Sequence, residues 1–294
     1  MKFSISAIAL VAASSVIALP ARRDGPSDAD ILNYALTLEH LENAFYKGAL
    51  EKFDADAFKK VGFEPFVRGR FQQIVDHEAT HVQFLSDALG DKATKPCTYK
   101  FPYNDPKSFA ALSMALEGTG VSAYLGAAKL ISNKDYLTAA AAVLTTESRH
   151  AAWISASVNM GAPWSSAFDI PLSLNQVYSL AAAFITDCPS SNPPLPVKAF
   201  PALAVPTSYK AGDTISVSFD SSMAKGKNTY MAFFTGLTAK FAPIQNGKVT
   251  IPKDLMGTVY AVVTTDNKNT NDDNTVAGPA ILMFPFGSSA RQQT

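Results

Sequence analysis

DHEATHVQFL (76–85) and TTESRHAAW (145–153) each place a glutamate three residues ahead of a histidine, Glu78–His81 and Glu147–His150. Residues i and i+3 of an α-helix share a face, so each pair presents a carboxylate and an imidazole together. Working outward, Glu39 and Glu117 stand alone on two further helix-like segments and complete the order E…ExxH…E…ExxH. The intervals are 39 residues from Glu39 to Glu78, 39 from Glu78 to Glu117 and 30 from Glu117 to Glu147, each long enough for one helix-to-helix step. Four carboxylates and two imidazoles from four helices are what a bundle needs to hold two first-row transition metals in its core.

Composition argues against coincidence. The 294 residues include 7 Glu and 4 His, and no Glu follows position 147. Two of four histidines with a glutamate three residues upstream is an improbable outcome of so sparse a supply. The helical period agrees. Val67, Phe71, Ile74, Glu78, His81, Leu85 and Ala88 form one stripe, apolar except at the two ligands. Ala110, Ser113, Glu117, Val121, Tyr124, Ala128 and Ile131 form a second, and Ala140, Val143, Glu147, His150, Ile154 and Ser157 a third. No Lys or Arg lies on these stripes, so a metal is the natural counter-charge for carboxylates on apolar faces.

On the first helix two glutamates compete. Glu39 shares a face with Leu32, Leu36, Tyr46 and Leu50, and Glu42 with Ile31, Leu38, Phe45 and Ala49. Glu39 is preferred, because Tyr46 follows it by seven residues as Tyr124 follows Glu117; Glu42 stays an alternative or supporting residue. That symmetry would bring two phenols near the site, although packing is the ordinary role of such tyrosines. His40 and His77 point elsewhere on the helical wheel and read as surface or supporting residues, and Arg149 as facing solvent or a neighbouring acid.

Helix signals run over 28–52, 62–90, 107–131 and 135–160, with a shorter one at 173–186. Ser27 or Asp28 can cap the first, and Asp105-Pro106 opens the third as an N-cap followed by proline at the first helical position. The stretch 91–105, with Pro96, Pro102 and Tyr103, suits a long crossover better than a tight turn. The Pro/Ser-rich run 187–196 marks a change of style. After it come short alternating runs at 214–219, 229–235, 248–252, 258–265 and 277–284, separated by turn residues. The expected fold is therefore α+β in two domains: a four-helix bundle at 24–188, a Pro-rich hinge at 189–199, and a small antiparallel β-sandwich at 200–294. The acids of the polar loop 266–275 lack the alternating spacing of a calcium loop.

Residues 1–23 read as a secretory signal with a dibasic pro-segment: Lys2, an apolar run from Ile5 to Leu19, then Arg22-Arg23. Cleavage there would leave 22 basic against 25 acidic side chains, with no basic patch for nucleic acid. No stretch is long enough for a membrane span. Cys97 and Cys188, the only cysteines, would pair as a disulfide in an oxidising compartment, the alternative being two free or buried thiols.

The ligand pattern resembles the ferritin-like superfamily of carboxylate-bridged dimetal proteins, such as bacterioferritin, rubrerythrin and the manganese catalases, though the last depart from so symmetric a carboxylate set. ILNYALTLEHLENAFYKGAL (31–50), with the two quoted segments, looks more narrowly like the secreted ferritin-like proteins of filamentous fungi, the Rds1-like stress-response and late sexual development proteins. The resemblance covers about residues 27–188. It implies a ferritin-like bundle and metal-site geometry for Glu39, Glu78, His81, Glu117, Glu147 and His150, but no settled reaction. A carboxylate-rich site with one imidazole per metal suits two Fe or Mn ions reacting with peroxide or dioxygen. The alternative is a non-catalytic scaffold whose β-domain meets a cell-wall or surface partner. An iron-storage cage fits poorly with an appended β-domain and a secretory route.

Overall fold

The computed structural model describes residues 25–291; the signal and dibasic segment read at 1–23 lie outside them. Among the described residues four long helices form the bundle: α1 (Asp28–Lys52), α3 (Pro65–Leu89), α4 (Pro106–Ala127) and α5 (Lys134–Trp153). A one-and-a-half-turn helix, α2 (Ala55–Lys60), bridges the first two, so the second long helix starts later than its periodicity suggested. Helix α5 runs into a single π turn, Ile154–Val158, just past His150. A sixth helix, α6 (Leu174–Ala182), follows.

Local chemistry fixes the helix starts. Ser27 caps α1, its hydroxyl accepting from the Asp30 amide while Asp30 accepts from the Ser27 amide. Asp105 caps α4 ahead of Pro106, as the sequence indicated, and Asn133 and Ser173 cap α5 and α6. Asp28 does a different job: its carboxylate accepts from the amides of Ser132 and Asn133, tying the start of α1 to the start of α5.

The crossover between α3 and α4 is pinned at its middle. Strand β1 (Thr98–Tyr99) pairs antiparallel with β2 (Ile185–Asp187), and Cys97 and Cys188 are joined in a disulfide beside that ribbon. Closing 91 residues of chain removes unfolded-state entropy.

Eight further strands build the C-terminal part: β3 (Leu203–Ala204), β4 (Thr214–Ser216), β5 (Ser218–Phe219), β6 (Tyr230–Thr235), β7 (Thr238–Pro243), β8 (Lys248–Thr250), β9 (Gly257–Thr264) and β10 (Thr275–Phe284). A four-stranded antiparallel sheet runs β10-β9-β6-β7, and two short ribbons, β3-β5 and β4-β8, cover one side. Strand β7 was not read from the sequence; TAKFAP alternates weakly and is recognisable only as the hairpin partner of β6.

The sheet is buried on both faces, which explains its near-continuous apolar runs. Met231, Phe233, Val259, Ala261 and Val263 point into a core shared with the ribbons. Their neighbours Ala232, Phe234, Tyr260 and Val262 join the core of the helical bundle. The Tyr260 hydroxyl lies against α4 beside Gly118, the residue after Glu117. At the other end of α4, a Cβ on Gly126 would come within 1.8 Å of the Leu172 carbonyl oxygen, so only glycine lets the 170–173 strap lie there. The 266–275 loop is also structural: Asp272 accepts from the side chains of Ser173 and Asn175 and holds the start of α6. No described helix is long and apolar enough to cross a membrane.

The disulfide gives the first test. Replacing Cys97 and Cys188 together by serine should lower unfolding free energy by about 3–5 kcal/mol in the chain-entropy account, measured by denaturant titration. A double variant as stable as the parent would show that the crossover is held by the β1–β2 ribbon alone.

Candidate metal centre

All six sequence-predicted residues converge at mid-height in the bundle. Glu39, Glu78, Glu117 and Glu147 are fully buried, and His81 and His150 lie at the edge with a little exposure. They form two overlapping groups, Glu39–Glu78–His81–Glu147 and Glu78–Glu117–Glu147–His150, each offering ligand atoms within 4.8 Å of one another. Glu78 and Glu147 belong to both. If two ions were held here, the ExxH glutamates would be the residues common to both, and Glu39 and Glu117 would each serve one ion beside a histidine.

The distances agree. His81 Nδ1 lies 3.2 Å from Glu39 Oε2 and 3.1 Å from Glu78 Oε2. His150 Nδ1 lies 3.2 Å from Glu117 Oε2 and 3.4 Å from Glu78 Oε1. Each terminal carboxylate is held from behind by a phenol. The Tyr46 hydroxyl donates to Glu117 Oε1 and the Tyr124 hydroxyl to Glu39 Oε1, both in very short hydrogen bonds. Because Glu39 meets Tyr124 and Tyr46 meets Glu117, α1 and α4 run antiparallel. The two tyrosines are more than packing: they orient the carboxylates. Burial and the facing carboxylates hold both phenols well above their ordinary pKa, so they remain donors.

Two features were not legible beforehand. His77 is exposed and stacks on His150, rings 5.2 Å apart and 11° from parallel, with its Nδ1 2.9 Å from His150 Nε2. It is thus a supporting residue that fixes the outer nitrogen of a ligand. His40 is half-buried and turns to the Thr94 carbonyl, and Arg149 is exposed. The second feature is Gly120. A Cβ there would sit 2.6 Å from Glu147 Oε2 and 3.1 Å from Glu42 Oε1. A glycine inside an α-helix costs roughly 0.5–1 kcal/mol against alanine, and that cost was the available sequence signal. Ala88 and Ser157, placed on the ligand stripes by period alone, are exposed; Leu89 and Val158 take the buried positions.

Below the centre, Phe45, Phe71 and Phe109 pack with centroids 4.7–5.1 Å apart, and Trp153 meets Phe71 at 5.2 Å. A cleft of about 740 Å³ opens between α3 and α5 over His77, His81 and His150, with Trp153 on its wall.

Among the described residues no lysine or arginine pairs with these acids; only His81 and His150 do. Three buried carboxylate oxygens, Glu78 Oε1 and both of Glu147, have no hydrogen-bond partner, and they belong to the two shared glutamates. Orphaned buried acceptors of this kind cost about 1–3 kcal/mol each or more when charged. The donor set, oxygen-rich with one imidazole at each end, fits a pair of first-row metal ions.

Comparison with known proteins agrees. Residues 27–160 match the ferritin-like domain family, and the four long helices of the bundle lie within them. More narrowly, the chain is similar to Protein rds1 of Schizosaccharomyces pombe, 27% identical over 179 residues, which is 60% of this chain and 44% of that protein. The match thus spans less than half of the relative's own length.

Proton occupancy follows from the same geometry. Burial first, and neighbouring carboxylates after it, push Glu78 and Glu147 well above the usual carboxylate range. Burial pulls the His81 imidazolium down, but the hydrogen bonds it donates to Glu39 and Glu78, with their charges, outweigh this and hold it up to about 10. Raised values mean that the metal-free fold keeps protons the unfolded chain has released, so stability is lost with rising pH. The metal-free protein should melt at falling temperature as pH climbs from about 5 towards about 10. Adding Mn(II) near neutral pH should release protons, seen as a buffer-dependent binding enthalpy. A melting temperature that rises over this range would contradict the assignment.

Proposed function

We propose that this chain is a secreted dimetal redox protein holding two Fe or Mn ions and reacting with peroxide or dioxygen. The observation that carries the reading is that three carboxylate oxygens on Glu78 and Glu147, the residues common to both ligand groups, are buried without a hydrogen-bond partner. Glu39 with His81 would hold one ion, Glu117 with His150 the other, and Glu78 and Glu147 both. Bound there, Fe or Mn would supply one-electron redox steps on peroxide or dioxygen.

The chain's own contribution is orientation and access. Tyr46 and Tyr124 hold the outer oxygens of the terminal carboxylates, leaving the inner oxygens turned to the imidazoles. The α3–α5 cleft admits a molecule of peroxide size on the histidine side. Removal of an oxidant outside the cell suits the stress or developmental setting that the sequence resemblance suggests. The cell wall or extracellular space is the proposed location, on the signal-like N-terminus alone.

Stoichiometry tests the reading. Elemental analysis of protein purified without chelator should find close to two Fe or Mn per chain. Glu147→Ala and Glu78→Ala should each lose both ions, whereas Glu39→Ala and Glu117→Ala should retain up to one. In metal-free protein Glu147→Ala should match or exceed the parent's melting temperature, because it deletes an unpartnered buried carboxylate. Zinc at full occupancy would favour a redox-silent scaffold, and no uptake of Fe(II) or Mn(II) would end the proposal.

A further inference from the structure

Glu42 is buried like the four ligand glutamates, at 4% exposure, yet it belongs to neither ligand group. Its side chain instead lines a cavity of about 440 Å³ where α1, α4 and α6 meet β10. The walls are apolar, chiefly Leu41, Leu112, Leu116, Phe184, Phe200 and Ile281. Two hydroxyls on the wall are committed elsewhere: Thr119 donates to the Ala115 carbonyl and Ser179 to the Asn175 carbonyl. Glu42 is the one ionisable side chain among the lining residues. Cavities of a few hundred Å³, lined by apolar side chains with one placed polar group, are the ordinary form of a small-molecule site.

We infer that this cavity binds a neutral, largely apolar small molecule carrying one hydroxyl, which hydrogen-bonds to Glu42 while its body lies against the leucine and phenylalanine walls. A largely apolar partner is favoured because every other lining side chain is apolar or carries a hydroxyl already bonded to a backbone carbonyl. The position next to the ligand set is built in. Gly120 stands three residues after Glu117 as Glu42 stands three after Glu39, and the missing side chain leaves Glu42 and Glu147 facing the same gap. The occupant would therefore sit one carboxylate away from a bridging position. The cavity requires no metal, so the inference stands apart from the redox reading.

The test uses the full chain, metal-free and metal-loaded, with three probes of one shape: benzyl alcohol, ethylbenzene and benzylamine. Calorimetry and ligand-observed NMR should show saturable binding of benzyl alcohol. Glu42→Leu should weaken benzyl alcohol about tenfold relative to ethylbenzene, since it removes one buried hydrogen-bond partner. Glu42→Gln, which keeps the shape and a hydrogen-bonding group, should stay within a few-fold of the parent. Ala182→Phe, on the wall away from Glu42, should weaken all probes and serves if Glu42→Leu does not fold. Absence of saturable binding, equal effects of Glu42→Leu on alcohol and hydrocarbon, or a preference for benzylamine would overturn the inference. Metal content measured on the same samples separates the two proposals: Glu42-dependent alcohol binding in a chain that takes up no metal would refute the dimetal reading and leave the cavity standing.

Discussion

Five glutamates, Glu39, Glu42, Glu78, Glu117 and Glu147, lie buried in one bundle core without a lysine or arginine to meet them. An isolated ionised carboxylate in a dry core is among the most costly things a fold can contain. Such a group keeps its proton, finds hydrogen-bond donors or meets a cation. Burial pushes Glu42, Glu78 and Glu147 towards keeping their protons, Glu39 and Glu117 receive phenol donors, and one oxygen of Glu78 and both of Glu147 are buried without a hydrogen-bond partner. The remainder of the molecule makes that arrangement tolerable, with an aromatic floor beneath it and α4 clamped from outside by Tyr260 and the 170–173 strap.

The centre has an approximate two-fold symmetry relating α1–α3 to α4–α5. Glu39 corresponds to Glu117, Tyr46 to Tyr124, Glu78 to Glu147 and His81 to His150. Function enters where the correspondence fails. His77 stacks on His150, whereas Thr146, its counterpart, offers His81 no such partner. Glu42 corresponds to Gly120, so one half carries an extra carboxyl and the other the space that admits it. The two ligand groups are consequently inequivalent: His150 is backed by a second imidazole and His81 is not.

The β-sheet takes part in shaping the site. Alternate residues of β6 and β9 supply the bundle core and the ribbon core in turn, so a one-residue slip in register would exchange the two faces and withdraw Tyr260 from α4. Strand β10 closes the cavity at Glu42 with Ile281. The β part thus completes a pocket that the helices alone leave open on one side.

The sequence by itself determined the class of fold and, apart from the choice on α1, which residues meet in the candidate ligand cluster. The repeated i,i+3 glutamate–histidine spacing and the seven-residue offsets to Tyr46 and Tyr124 are local helical geometry, and local geometry is written in the chain. The helix caps at Ser27 and Asp105 and the alternation of β6, β9 and β10 were legible for the same reason. Which glutamates are shared was not, because sharing depends on how deeply and at what height four separate helices meet. The His77–His150 stack, the exposed turn at Ala88, strand β7 and the choice between Glu39 and Glu42 depend on contacts between residues far apart in sequence. Glu39 and Glu42 differ by less than one helical turn; only the packing of α4, with Tyr124 behind one and Gly120 beside the other, sends the first to the ligand cluster and the second to the cavity.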